Sequence, residues 1–597
     1  MNIIIPSNNS QQASSTQLDA TDNLGGNPVV SNRSGKVARW SRYLGPILAI
    51  FTAGLLTLYS NLASPAIATA AIVVLMAIWW MSEAIPLAAT AMLPLALFPL
   101  FGIGLSEAQA PKINQRVRWT IPEVDYRNYA QQTPQMGTGL LTEIDQSYVS
   151  VTVERKYPTR VEVDVFHIEK QHVTAARSAN LFEVTARNYA SRYVFLLMGG
   201  FLLGLAIEKW NLHKRIALYT ILALGTQPAR LIGGFMITTA MLSMWISNTA
   251  TTVVMLPIAL SLVALVRTKI PAEDKSKIGP FAACMMLCIA YAASVGGLAT
   301  FMGTPTNLLL RSELEDHGIF IGFGEWMAFG LPLTIIFLLV IWGLMTKLIF
   351  PISLPQISGG RQMIRSEISR LGPMSKPEIS VAVIFGCTAL LWITRQFITE
   401  SEWVQSWFPN VVYVDDTIIA MSAALLLFIF PAWGHPGRTL LDWTTARKLP
   451  WGILLLFGGG LALAAAMKSS GLGADICQAI TPSAATAILL VILVVTSSMV
   501  FLTEVTSNTA TAALIFPLLI QLSDNLDADA RLLLFPAALA ASCAFMLPVA
   551  TPPNAIVFAS GQVTIRQMAR AGIILNIVSI VLIPLITYTL GKLIFGF

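Results

Sequence analysis

Apolar runs of about 20 residues recur along most of this chain, and that recurrence limits the fold more than any other feature. They lie at roughly 43–60, 65–82, 87–104, 193–212, 281–302, 327–350, 378–395, 416–432, 451–470, 533–550 and 571–595. As a helix, such a run matches the ~30 Å hydrocarbon core of a bilayer. Inside that core every backbone group must be satisfied within the protein. Only 12% of the residues are charged, against about 25% in soluble domains, so an ordinary soluble protein is excluded. The chain reads as an all-α polytopic membrane protein of eleven transmembrane helices, with the lipid bilayer as its solvent.

Two further apolar stretches, 231–265 and 484–521, do not read as simple spans. Each is about 35 residues long and carries a polar cluster at its middle, Ser247-Asn248-Thr249 and Ser507-Asn508-Thr509. A helix of that length would measure about 50 Å, too long for the core. A re-entrant hairpin with the polar cluster at its tip fits better.

Charge placement sets an orientation. With the N-terminus in the cytoplasm, the inner segments are 33–42, 209–230 (with Lys214 and Arg215), 267–277, 361–376, 438–448, and Arg566 with Arg570, all rich in Lys and Arg. The outer segments carry Glu313, Glu315 and Asp316; Glu400, Glu402, Asp415 and Asp416; and Asp524, Asp527 and Asp529. This obeys the positive-inside rule for a multi-pass protein of the plasma (inner) membrane, with the C-terminus outside. The net charge of +6 is absorbed by the inner loops, and nothing resembles a nucleic-acid module. Residues 1–37 are polar, without the apolar core of a secretory signal, and read as a disordered cytoplasmic tail. The five cysteines fall in or beside apolar segments. Cys284 and Cys288, one helical turn apart with no His or carboxylate beside them, read as packing.

One segment departs from the pattern. About a quarter of residues 107–190 are charged, an ordinary soluble value. Residues 148–156 and 160–168 alternate Val with polar residues around Tyr157-Pro158-Thr159, a hairpin signature. Residues 117–127 could add a strand, with Pro122 placing it at an edge. A small β-rich soluble insert on the outer face is expected, following the first three helices over 38–106. Its His167 and His172 read as solvated rather than as metal ligands.

The chain also repeats itself. MLSMWISNTATTVVMLP (241–257) answers FLTEVTSNTATAALIFP (501–517), GTPTN (303–307) answers ATPPN (550–554), and LLMGGFLLGLAIEKWNL (196–212) answers LLFGGGLALAAAMKSSGL (455–472). Three motifs in the same order indicate duplication. The first repeat continues over 191–350, a cytoplasmic linker covers 351–377, and the second repeat, over 378–597, is inverted. Paired, Gly/Pro-interrupted segments at matching places in two halves point to a transporter binding site. Ser, Asn and Thr at a tip cap the returning helix, whose N–H groups suit an anion. Unwound Thr-Pro segments free carbonyls for a hard cation such as Na⁺. Glu504, three residues before the second Ser-Asn-Thr, is a cation or proton site or a pairing group at a helix end.

These motifs, with IWWMSEAIPLAATAMLP (78–94) and LLMGGFLLGLAIEKWNLHKRIAL (196–218), resemble the divalent anion:sodium symporters over roughly 40–105 and 188–597. The resemblance does not cover the tail or the insert. It implies a homodimer of eleven-span protomers in which a transport domain moves as an elevator against a scaffold. It further implies substrate carboxylates on Asn248 and Thr249 and on Asn508 and Thr509, with Thr551 and Pro552 lining the same site. One Na⁺ would lie near Ser243, Ser247, Asn248 and Gly303, and a second near Thr503, Thr506, Asn508 and Ala550. Threonine at 506 departs from some relatives, and the family includes exchangers that do not use Na⁺.

The expected function is import of C4-dicarboxylates with Na⁺. Sodium-independent exchange and sulfate transport are the alternatives, and a sensor acting through the insert is a reading of another class. No nucleophile–base constellation or metal cluster suggests an enzyme.

Overall fold

The computed structural model describes residues 34–60, 62–104, five strands between 116 and 175, and 180–596 apart from 226, 356–358 and 481–487. The expected tail up to residue 33, Pro122 and His172 lie outside the described residues. Nine helices among these residues are long and apolar enough to cross a membrane. They match expected spans except Asn248–Lys269, which is an arm of the first hairpin segment.

Three expected spans are shorter than their apolar runs. The run at 87–104 breaks at Met92 into Leu87–Ala91 and Leu93–Leu100. Pro94, in the first turn of the second piece, cannot bond back to Thr90. The run at 416–432 gives Asp416–Ile429, and that at 533–550 gives a helix ending at Ala541. Hydropathy sees the side chains and misses a helix that stops inside an apolar run. The two longest helices that fall where neither a span nor a hairpin was expected are Leu212–Leu224 and Gly360–Leu371. The second carries its polar residues through the linker region.

The insert forms a five-stranded antiparallel sheet of order β4-β3-β2-β1-β5. The strands are β1 Arg116–Thr120, β2 Met136–Ile144, β3 Tyr148–Lys156, β4 Val161–Glu169 and β5 Val173–Ala175. β3 and β4 pair as the alternation suggests, with Ser150 opposite His167. β1 is interior, between β2 and β5, rather than at an edge. It is described as far as Thr120, and Pro122 lies outside the described residues. The Gly-rich β2 has no alternation by which to be read.

Two buried helices form the centre of the helical part. Ile278–Gly296 is buried throughout from Phe281, and Arg531–Ala541 from Leu533. Their small residues let neighbours approach closely: a Cβ on Gly296 would meet the backbone of Ala240. Cys284 and Cys288 lie inside this packing, Sγ to Sγ 4.0 Å, and no disulfide joins the cysteines among the described residues.

Each central helix stops in mid-protein. The first passes through a 3₁₀ turn, Gly297–Ala299, and restarts as Pro305–Glu315 after Thr304. The second unwinds from Ser542 and restarts as Pro552–Ala559 after Thr551. In both, a proline occupies the first helical position, where its missing N–H costs nothing. The hairpins are Pro228–Ser243 with Asn248–Lys269, and Ile488–Thr503 with Asn508–Asn525. The returning arm of each packs on the half-helix that follows the other repeat's break: Asn248–Lys269 on Pro552–Ala559, and Asn508–Asn525 on Pro305–Glu315.

Around this body, Arg192–Lys209, Lys376–Glu400 and Asp416–Ile429 pack on one another. Arg215, counted above among inner-loop charges, is buried. Its Nε lies 2.6 Å and its Nη2 3.1 Å from the Glu378 carboxylate, and its Nη1 donates to the Gly372 carbonyl at 3.0 Å.

Candidate functional site: two hairpin tips and two broken helices

The first tip gathers oxygens. Ser247 caps the returning arm, its Oγ accepting from the Ala250 N–H at 3.2 Å. Ser243, in the last turn of the outgoing arm, donates to the Ala293 carbonyl at 2.6 Å. With that single proton used, the adjacent Asn248 amide has two possible orientations. Nitrogen inward, its two N–H groups face three acceptors, Ser243 Oγ at 2.5 Å, Ala293 O at 3.1 Å and Gly303 O at 3.3 Å. Oxygen inward, it faces the Ser243 hydroxyl and those two carbonyls, an all-oxygen donor set of the kind a hard cation selects. Gly303 is required here, because a Cβ on it would run into the backbone of Gly297. Thr300 ties the parts together: its hydroxyl donates to Met244 O at 2.5 Å and accepts from Gly303 N–H at 3.1 Å.

The second tip is built differently. The Thr503 hydroxyl bonds back to Met499 O at 2.9 Å, and that of Thr506 to Leu502 O at 2.6 Å. The Thr506 and Thr511 hydroxyls meet at 2.6 Å. Ser507 is the N-cap residue but makes no side-chain cap bond. Among the described residues, the buried Asn508 Oδ1 has no hydrogen-bond partner. The predicted first ion set, Ser243, Asn248 and Gly303, is thus brought together, with Ser247 turned to its cap. The second set, Thr503, Thr506, Asn508 and Ala550, is not joined by hydrogen bonds between its members. Thr249 is exposed and Thr509 half-buried. Thr551 is buried and caps its half-helix, accepting from Asn554 N–H at 3.3 Å, while Pro552 is exposed.

Glu504 is a pairing group. One carboxylate oxygen accepts from Phe545 N–H at 2.7 Å, Met546 N–H at 2.9 Å and Asn576 Nδ2 at 2.7 Å, and the other from Leu547 N–H at 3.1 Å. It therefore satisfies donors that unwinding of the second central helix leaves free.

Sequence reasoning missed the role of Asn307 and Asn554, the last residues of the two paired motifs. Asn307 Nδ2 donates to Thr300 O at 2.8 Å and Gly297 O at 3.2 Å. Asn554 Nδ2 donates to Leu547 O at 3.0 Å and Ala544 O at 3.1 Å. Their recurrence at matched positions was the available signal. The Ala293 carbonyl carried none, because any residue supplies one.

Residues 37–597 match the family described as "Sodium:sulfate symporter transmembrane region". The chain is 36% identical over 556 residues to a sodium-dependent dicarboxylate transporter, SdcS, of Staphylococcus saprophyticus, covering 93% of this chain and 91% of that one. It is 39% identical over 417 residues to the protein of the same name from Staphylococcus aureus (strain USA300), covering 69% and 79%. Among solved structures it is similar to the YdaH transporter of Alcanivorax borkumensis, with a TM-score of 0.49 and 15% identity over 75% of this chain and 94% of that one. By its motifs and this match, the chain is a multi-pass membrane transporter, not an enzyme, and belongs to the sodium:sulfate symporter family, that of the divalent anion:sodium symporters.

Proposed function

We propose that this protein imports C4-dicarboxylates, the succinate, malate and fumarate class, together with Na⁺. The observation that carries the reading is the convergence of Ser243, Asn248, Ala293 O and Gly303 O at one tip, which with the Asn248 oxygen turned inward is a donor set that fits Na⁺. The relatives' names as sodium-dependent dicarboxylate transporters support it. The substrate would lie between the tips, one carboxylate on Asn248 and Thr249 and the other on Asn508 and Thr509, with Thr551 and Pro552 alongside. A second Na⁺ near Thr503, Thr506, Asn508 and Ala550 would use the open Asn508 Oδ1.

Coupling answers an electrostatic problem. A dianion entering a negative cytoplasm works against about 2 × 2.3 kcal/mol per 100 mV. Two Na⁺ cancel that work and a third makes entry favourable. The eleven-span, inverted-repeat arrangement makes both hairpins re-entrant from opposite sides. The N-terminus is then cytoplasmic, with the insert and C-terminus outside the plasma membrane. Movement of the tip-bearing body as an elevator, within a homodimer, supplies alternating access.

Uptake by proteoliposomes, with a panel of dianions and with or without a Na⁺ gradient, tests this. Na⁺-stimulated succinate uptake is expected, lost in both Asn248→Ala and Asn508→Ala. Uptake indifferent to Na⁺ but stimulated by internal dicarboxylate would identify an exchanger. Sulfate uptake in preference to succinate would reassign the substrate.

A further inference from the structure

The half-helix Pro305–Glu315 links the first tip to a buried ionic chain. It begins one residue after Thr304 at the break and packs along Asn508–Asn525 and Arg531–Ala541, within the tip-bearing body. About 15 Å further on, its last turn meets the surrounding helices. Arg311 Nη1 lies 2.6 Å from Asp416 Oδ2, and its Nε 3.0 Å from Glu315 Oε1. The other Glu315 oxygen accepts from Arg192 and from the Tyr193 hydroxyl. Asp416 Oδ1 pairs with Arg395 Nε at 2.8 Å, and the Asp416 carbonyl accepts from Trp392 Nε1 at 3.0 Å. The Arg311 guanidinium stands 4.9 Å over the Phe301 ring. The side chains of Arg311, Glu315 and Asp416 are 9%, 6% and 2% exposed.

Three arginines and two carboxylates are thus drawn from four helices, and only one of those helices belongs to the tip-bearing body. Well-packed apolar side chains would hold two static bodies at least as well as buried ion pairs. Ion pairs with fixed partners define one register and are either made or broken.

We propose that Arg311 is a positioning residue for transport. The chain Arg192–Glu315–Arg311–Asp416–Arg395 is a latch that clamps the outer end of the broken helix to the surrounding helices in the state described here. It opens when the tip-bearing body moves. This rests on the alternating-access reading above.

The test joins the two sides. Arg192→Cys and Glu315→Cys are introduced together on a background with the exposed Cys387→Ser, and bridged by a short, reducible bis-thiosulfonate cross-linker. Reversible arrest is expected, with succinate uptake reduced at least tenfold on cross-linking and restored by reductant. Calorimetric Na⁺ and succinate affinities should stay within twofold. Uptake that continues at its former rate in fully cross-linked protein overturns the latch. If the double variant does not fold, the half-exposed Arg192 carries the test. Arg192→Gln should change maximal uptake at least threefold at unchanged Na⁺ affinity, and an unchanged maximal rate overturns the proposal. Failure of the site reading is seen separately, as normal uptake in Asn248→Ala and Asn508→Ala.

Discussion

Asn307 and Asn554 perform the same act in the two halves of the chain: each donates its side-chain amide to the carbonyls seven and ten residues before it. An unwound helix leaves carbonyls without their usual donors. In a membrane no water stands ready to replace them, so the repeat carries its own donor. Replacing either asparagine by alanine strands these buried acceptors at about 1–3 kcal/mol each. Thermal unfolding in detergent should show losses of similar size for Asn307→Ala and Asn554→Ala.

The oxygen cluster at the first tip has a direct signature. At a Na⁺ concentration of 100 times its dissociation constant, binding stabilises the folded state by about 2.7 kcal/mol. Melting in NaCl compared with choline chloride should reveal that gain in the wild type. Asn248→Ala should lose most of it.

Gly303 tests the approach of break and 3₁₀ turn. An alanine Cβ there meets backbone atoms of Gly297, which no rotamer change can relieve. Gly303→Ala should cost about 1–3 kcal/mol through overpacking. It should also lower Na⁺ affinity, since the Gly303 carbonyl moves with the chain. Calorimetric titration with Na⁺ checks the second effect.

Glu504 faces only donors, three backbone N–H groups and Asn576. Glu504→Gln removes the charge and turns an NH₂ toward those donors. Hydrogen bonds to charged groups contribute about 1.5–3 kcal/mol each, so at least about 2 kcal/mol should be lost in unfolding measurements. The Na⁺-to-succinate ratio in flux assays should be unchanged. A changed ratio would make Glu504 a coupling site instead.

Asp442, in the loop before the span starting at Trp451, pairs with Lys209 Nζ at 2.7 Å and also accepts from Thr444 and Thr445. Lys209 foremost, then the threonines, hold its carboxyl below the ordinary carboxylate range. The folded pKa is depressed, so the pair's stabilisation is complete above the unfolded value of about 3.9 and is lost as pH falls through the folded one. Asp442→Asn keeps a competent cap and should cost under about 1 kcal/mol. The difference from wild type should be equal at pH 5 and pH 8 and shrink below about pH 4.

Much of the site was legible because its residues recur in pairs. Ser243, Asn248 and Gly303 were expected together from the family resemblance that the matched motifs carry, and they meet. What hydropathy could not locate were the ends of helices inside apolar runs, at Met92, Ile429 and Ala541. Nor could it reveal Arg215 as a buried partner of Glu378, since a charged residue in an inner loop reads as solvated until its partner, far along the chain, is brought beside it.

The chain's own order of residues determined that it needs a bilayer, that it is built twice, and which tripeptides end its hairpins. These follow from local physics: run length against bilayer thickness, capping residues, and proline's missing N–H. Tertiary structure alone decided which half-helix each hairpin arm lies against, that Glu504 holds the second break, and that Arg311 reaches Asp416 across more than 100 residues of sequence. Those are long-range pairings of buried polar groups. Their partners are chosen by geometry when the helices assemble, and no local pattern encodes that choice.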